Sequence, residues 1–231
     1  MNDAAIDYDM AEALTFDCYG TLIDWDAGIA AAIRPILAHH GVRITDGEIL
    51  ERYAHHEAAT EAGPYRRYRD VVASCLRGIA ADLGFEPDPA EVDSFASSVG
   101  DWPPFPDSVD ALAALERRYR LGVITNCDDE LFERTNRSLG VEFDWVVTAQ
   151  QVGAYKPDER NFRVAFERIG LPRERIIHVA QSLYHDHVPA RRLELTSVWI
   201  NRRGQDPASV PEAAPDATYP DMAAFAAAAT A

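Results

Sequence analysis

The sequence predicts an α/β protein, a doubly wound, Rossmann-like parallel sheet interrupted after its first strand by an all-helical cap. Three observations carry this expectation. Short runs rich in β-branched and aromatic residues recur along the chain; helical patterns separate them from residue 108 onward; and the interval from Asp24 to Pro106 shows helical periodicity alone. Strands that alternate with helices form βαβ units around a parallel sheet.

The strands are expected at "ALTFDCY", "YRLGVITN", "DWVVTA", "RIIHVAQ" and "TSVWIN", with a last one near Thr218 and Tyr219 after the loop-like "GQDPASVPEAAPDA". Between them, "SVDALAALERRY" spaces Val109, Leu112 and Leu115 as a helix does. "DDELFERTNRSLG" opens with helix-starting acids and closes at Gly140. "KPDERNFRVAFERIG" starts at Pro157 and Asp158 and sets Phe162, Ala165, Phe166 and Ile169 on one face. The early helical interval breaks at Gly41, Gly63-Pro64 and Pro87 to Pro89 and closes at "WPPFP". It is too long for a simple crossover. The division expected is a catalytic core at residues 1–24 and 104–231, with a cap at 25–103.

Composition narrows the function. With 231 residues, nearly half of them apolar, the chain buries a full core. Its 38 acidic and 22 basic residues give a formal charge of −16, which repels nucleic acid and anionic membranes. Neither is expected as a partner. Cys18, Cys75 and Cys127 form no pairing pattern, the opening residues lack the order of a secretory signal, and no apolar run reaches membrane-spanning length. A cytoplasmic protein is expected.

Ligands of an open α/β sheet collect beyond the carboxyl ends of its strands. Four polar sets follow predicted strands here: Asp17, Tyr19 and Thr21; Thr125 and Asn126; Lys156; and Gln181, Ser182 and Asp186. Each alone has a plain structural role. Asp17 reads as a turn residue, Thr125 and Asn126 as caps of the helix near Asp128, Lys156 as a solvated lysine, and Asp186 as the N-cap of "HVPARRLEL". Their arrival in order, each after its own strand, favours a shared site. The seven histidines show no ligand-like convergence, and no metal or cofactor site is expected.

With those residues in place, the chain resembles the haloacid dehalogenase superfamily. "FDCYGTL" is similar to its first motif, "ITN" to its second, the lysine of "YKP" to its third and "VAQSLYHD" to its fourth. Most superfamily members are magnesium-dependent phosphatases, which need a second aspartate two residues after the nucleophile and carboxylates in the fourth motif. This chain has Tyr19 and Gln181 at those places. An aspartate followed by a tyrosine at this spacing resembles the L-2-haloacid dehalogenase branch. That resemblance implies a metal-independent hydrolase: Asp17 as nucleophile, Lys156 and Asp186 as its catalytic partners, and Tyr19, Thr21, Thr125 and Asn126 as substrate-binding residues. The substrate implied is a small 2-haloacid.

The branch also implies a cap arginine for the halide, for which Arg52 is nearest by spacing, and a homodimer. It departs from the branch at Phe162, where a tyrosine is expected, and at Gln181 and Leu183, where serine and asparagine are expected. A phosphatase or other hydrolase on the same scaffold, and a non-catalytic binding relative, are the alternatives.

Overall fold

The computed structural model describes residues 6–231. In chain order its elements are β1 (Ala13–Phe16), α1 (Trp25–His39), α2 (Asp46–Glu61), α3 (Tyr68–Leu83), α4 (Pro89–Ser97), α5 (Ser108–Leu115), β2 (Arg120–Thr125), α6 (Asp129–Leu139), β3 (Trp145–Thr148), α7 (Ala149–Val152), α8 (Arg160–Ile169), β4 (Ile176–Ala180), α9 (Val188–Arg192), β5 (Thr196–Ile200), β6 (Ala217–Tyr219) and α10 (Met222–Ala229). All six strands lie in one sheet in the order β3-β2-β1-β4-β5-β6, and every pairing is parallel. The order reverses at β1, whose neighbours are β2 and β4. The crevice at that reversal is where a ligand is expected to sit.

β1 is buried along its whole length because helices cover both faces of a parallel sheet, so its "ALTF" carries no solvent-facing alternation. Its register pairs Phe16 with Val123 of β2 and Val179 of β4. The residues that follow each of these strands therefore emerge side by side.

The predicted breaks at Gly41 and Gly63-Pro64 follow α1 and α2, whereas Pro87 to Pro89 leads into α4, which starts at Pro89. Thr45 and Asp88 each close a capping box, with Glu48 and Glu91, at the starts of α2 and α4. Gly84 terminates α3 in the left-handed conformation. Helix α1 packs close to Trp102: a Cβ on Gly28 would fall 2.2 Å from the indole Cγ. The two connections between this helical insert and the sheet run together, with Ile23 and Pro104 paired as an antiparallel bridge and the Asp24 N–H donating to Pro103 O at 2.8 Å.

Some details differ from the sequence reading. Val109 points outward, because α5 buries Ala111, Leu112 and Leu115 instead. Pro157 and Asp158 precede α8, and Asp158 caps its approach by accepting from Arg160 N. Asp186 is no N-cap: it lies within a wide π-type turn, Leu183–His187, whose leading side-chain acceptor is Ser182. His39 and His40 converge on Glu91, at 2.7 and 2.9 Å, a meeting between α1 and α4 that sequence spacing does not reveal. Among the described residues, no helix is long and apolar enough to cross a membrane.

Candidate active site

Asp17 leaves the end of β1 with its N–H donating to Val179 O of β4, which fixes where the carboxylate points. Gly20, three residues on, has φ +93°, a conformation that L side chains rarely adopt. That turn brings Thr21 back, so its hydroxyl donates to Asp17 Oδ2 at 2.7 Å and accepts from Gln181 N at 2.9 Å. The other Asp17 oxygen receives Lys156 Nζ at 2.8 Å.

Lys156 is 2% exposed and uses three acceptors: Asp17 Oδ1, Asp186 Oδ1 at 2.7 Å and the Ile124 carbonyl at 2.8 Å. An ammonium has three donors, so its capacity is complete. Burial alone lowers the Lys156 ammonium, but Asp17 and Asp186 outweigh it and hold it above the usual lysine value. Burial alone likewise raises the Asp186 carboxyl, yet Lys156 and His178 hold it well below the usual range. Asn126 positions the lysine backbone: its Oδ1 accepts from Lys156 N at 2.7 Å and its Nδ2 donates to Lys156 O at 3.2 Å.

A further support is His178, an inward polar residue in the otherwise apolar β4. Its Nε2 lies 3.0 Å from Asp186 Oδ1 and its Nδ1 lies 2.9 Å from the Thr15 hydroxyl. The tautomer with hydrogen on Nε2 satisfies both contacts, donating to the carboxylate and accepting from Thr15. Asp186 Oδ2 is buried with no hydrogen-bond partner.

Above this group lies a cavity of about 220 Å³ lined by Asp17, Tyr19, Asn126, Lys156, Gln181 and Asp186 from the sheet side and by Trp25, Glu57, Glu61 and Tyr68 from the insert, with Ser182 and His185 at its edge. The structure brings Asp17, Tyr19, Asn126, Lys156 and Asp186 together as predicted. Thr21 lies behind Asp17, its hydroxyl fully engaged. Thr125 is buried at the end of β2 with its hydroxyl unpartnered, outside the cavity lining. Arg52 is elsewhere on α2, with Nη1 3.8 Å from Asp82 of α3, and lines no part of the cavity. Tyr19 contributes its ring, while its hydroxyl turns away to Thr135 Oγ1 at 2.9 Å and receives Cys127 Sγ at 3.3 Å.

Sequence reasoning missed Glu57, Glu61 and His178. Trp25 stands at the cavity wall, edge-on to Tyr53 at 6.1 Å. Burial raises the Glu57 carboxyl, against a hydrogen bond from the Tyr68 hydroxyl at 2.7 Å. Burial, followed by repulsion from Glu57, pushes Glu61 up to about 8. The insert is tied to the sheet beside this cavity by Asp128, whose two carboxylate oxygens accept from the Tyr68 and Arg69 N–H groups at 3.0 and 2.9 Å, capping α3 from the other side.

The chain is similar to known dehalogenases over most of its length. The (S)-2-haloacid dehalogenase of Pseudomonas fluorescens is 26% identical over 195 residues, 83% of this chain and 85% of that one. The haloacetate dehalogenase H-2 of a Moraxella species is 27% identical over 199 residues, 84% and 87% of the two chains. The crystal structure of a defluorinating L-2-haloacid dehalogenase superposes with a TM-score of 0.82 at 24% identity, covering 96% of each chain, which shows a shared fold. The family model for haloacid dehalogenase-like hydrolases matches residues 11–183, a span that holds Asp17, Lys156 and the helical insert, and the chain belongs to that family of hydrolases.

Proposed function

We propose that the protein hydrolyses the carbon–halogen bond of small 2-haloalkanoic acids through an aspartyl ester, without a metal ion. The observation that carries this reading is the state of Asp17: a single carboxylate at the end of β1, with an ammonium on one oxygen and a hydroxyl on the other, facing a small cavity. An Asp17 oxygen forms a bond to the α-carbon while the carbon–halogen bond breaks and halide leaves with its electron pair. Water then adds to the carbonyl carbon of the ester. One water proton passes to the departing alkoxide and the other is released as the Asp17 carboxylate is regenerated, giving a 2-hydroxy acid of inverted configuration. Lys156 offsets the approach of one anion to another, and Asp186 holds that lysine in place.

The donor set around Asp17 does not fit a divalent cation. Gln181 offers a neutral amide where an anionic ligand is needed, and Asp186 Oδ1 is already shared by Lys156 and His178. Tyr19, two residues after the nucleophile, sends its hydroxyl to Thr135, so it supplies no proton to a leaving group over Asp17. Both points support displacement at carbon over phosphoryl transfer.

The test is halide release from chloro-, bromo- and fluoroacetate and from both enantiomers of 2-chloropropionate, with chelator throughout. Release that Asp17→Ala abolishes is the expected result. Silence across the panel, with magnesium-dependent phosphate release instead, moves the assignment to a phosphatase; silence in both assays moves it to a binding role.

A further inference from the structure

Four carboxylates line the cavity: Asp17 and Asp186 from the sheet, Glu57 and Glu61 from α2. The insert contributes no cation to it. The one lysine, Lys156, is committed to Asp17, Asp186 and a backbone carbonyl, and no arginine is present in the lining. A cavity with this charge is a poor receptacle for a second anionic group beyond the one that meets the core.

The two glutamates are four residues apart and so share a face of their helix. That face is turned inward: Glu57 is held by the Tyr68 hydroxyl, itself 3.0 Å from the Tyr53 hydroxyl, and Glu61 stands over the junction with a neighbouring cleft of about 470 Å³. Glu61, Lys156 and His185 line both spaces. Spaces of this combined size hold ligands larger than a three-carbon acid. Two half-buried carboxylates on one side of a cavity, one of them pushed up to about 8 by burial and by the other, are short of a positive partner.

We propose that Glu57 and Glu61 determine specificity by receiving an ammonium group at the far end of the substrate, so that the preferred substrate is an amino-bearing 2-haloacid. The inference rests on the carbon–halogen reading for the end of the substrate that meets Asp17. The α-carbon and its carboxylate lie against the sheet residues, and the side chain runs toward α2. The ammonium then makes charge-assisted hydrogen bonds to the glutamate pair.

The test separates the two readings. Equilibrium binding of 4-aminobutyrate and butyrate, which carry no halogen, is compared on the wild-type protein and on Glu57→Gln/Glu61→Gln. At least 10-fold tighter binding of 4-aminobutyrate by the wild type, lost in the double variant, is expected; the single Glu61→Gln variant serves if the double variant does not fold. Equal or tighter binding of butyrate, or no detectable binding of 4-aminobutyrate, overturns the proposal. Halide release from 2-chloro-4-aminobutyrate and 2-chlorobutyrate is then measured. An ammonium preference in binding without halide release keeps the role of the glutamates and removes the chemistry at Asp17, whereas halide release without that preference does the reverse.

Discussion

Lys156 is the residue on which the site's electrostatics turn, since it separates two carboxylates that would otherwise face each other in a buried space. Breaking a buried pair costs about 3–5 kcal/mol, so Lys156→Met should lower the denaturant midpoint strongly at pH 7. The direction with pH follows from Asp186. Its carboxyl is held below the usual range, so the stability it contributes is present above pH about 4 and is lost as pH falls toward its folded value. The deficit of Lys156→Met should therefore shrink in acid, and a constant deficit from pH 7 to pH 3 would exclude this account. Glu61 has the opposite sign. With a carboxyl raised to about 8, it favours the folded state in acid and withdraws that support as pH rises from about 4.5 to about 8. Glu61→Gln should thus gain about 1–2 kcal/mol at pH 9 relative to pH 5, measured by urea unfolding at both. Tyr19→Phe removes a hydroxyl that faces Thr135, so halide release should change by only a few-fold. A loss of several hundred-fold would mean that the phenol reaches the reacting atoms. The sheet half of the site was legible because Asp17, Lys156 and Asp186 each follow a strand. Glu57 and Glu61 were not legible: acids four apart on a helix look like a solvated face, and only the placement of α2 across the cavity from Asp17 and Lys156 makes that face an inner wall.

At the scale of elements, the packing of α1 gives the clearest test. Gly28 meets Trp102 so closely that even a methyl group collides with the indole, and overpacking typically costs about 1–3 kcal/mol. Gly28→Ala should lower the melting temperature by several degrees, and an unchanged value would show that α1 shifts freely over Trp102. The strands and some helix limits were legible because their signals are local: breaks at Gly41 and Gly63-Pro64, glycines at the ends of α6 and α8, and apolar runs for a sheet covered on both sides. The departures arose where tertiary demands replaced local ones. Asp186 has the sequence setting of an N-cap, but Lys156 and His178 hold its carboxylate, and the chain accommodates this with a π-type turn. Val109 follows the helical spacing yet stays outside, since α5 presents Ala111, Leu112 and Leu115 to the core.

For the whole molecule, the arrangement that matters is a sheet and a helical insert joined by paired connections at Ile23 and Pro104 and clasped again by Asp128 at the start of α3. The cavity between them takes its nucleophile from one side and its outer carboxylates from the other. Asp128→Ala leaves two N–H groups of α3 without their acceptor, so α3 should show faster amide exchange at its first turn while the exchange of β1 and β4 is unchanged. Equal acceleration in the sheet would mean that Asp128 serves global stability. The clasp also imposes a reciprocal condition. A ligand that touches both Asp17 and the α2 glutamates can bind fully only when the two parts are together, and Asp128 favours that same arrangement. By linkage, whatever factor Asp128 adds to the affinity for such a ligand, the ligand returns to the clasp as protection of the Tyr68 and Arg69 amides. Those two backbone hydrogens are then reporters of occupancy, readable without following the reaction at all.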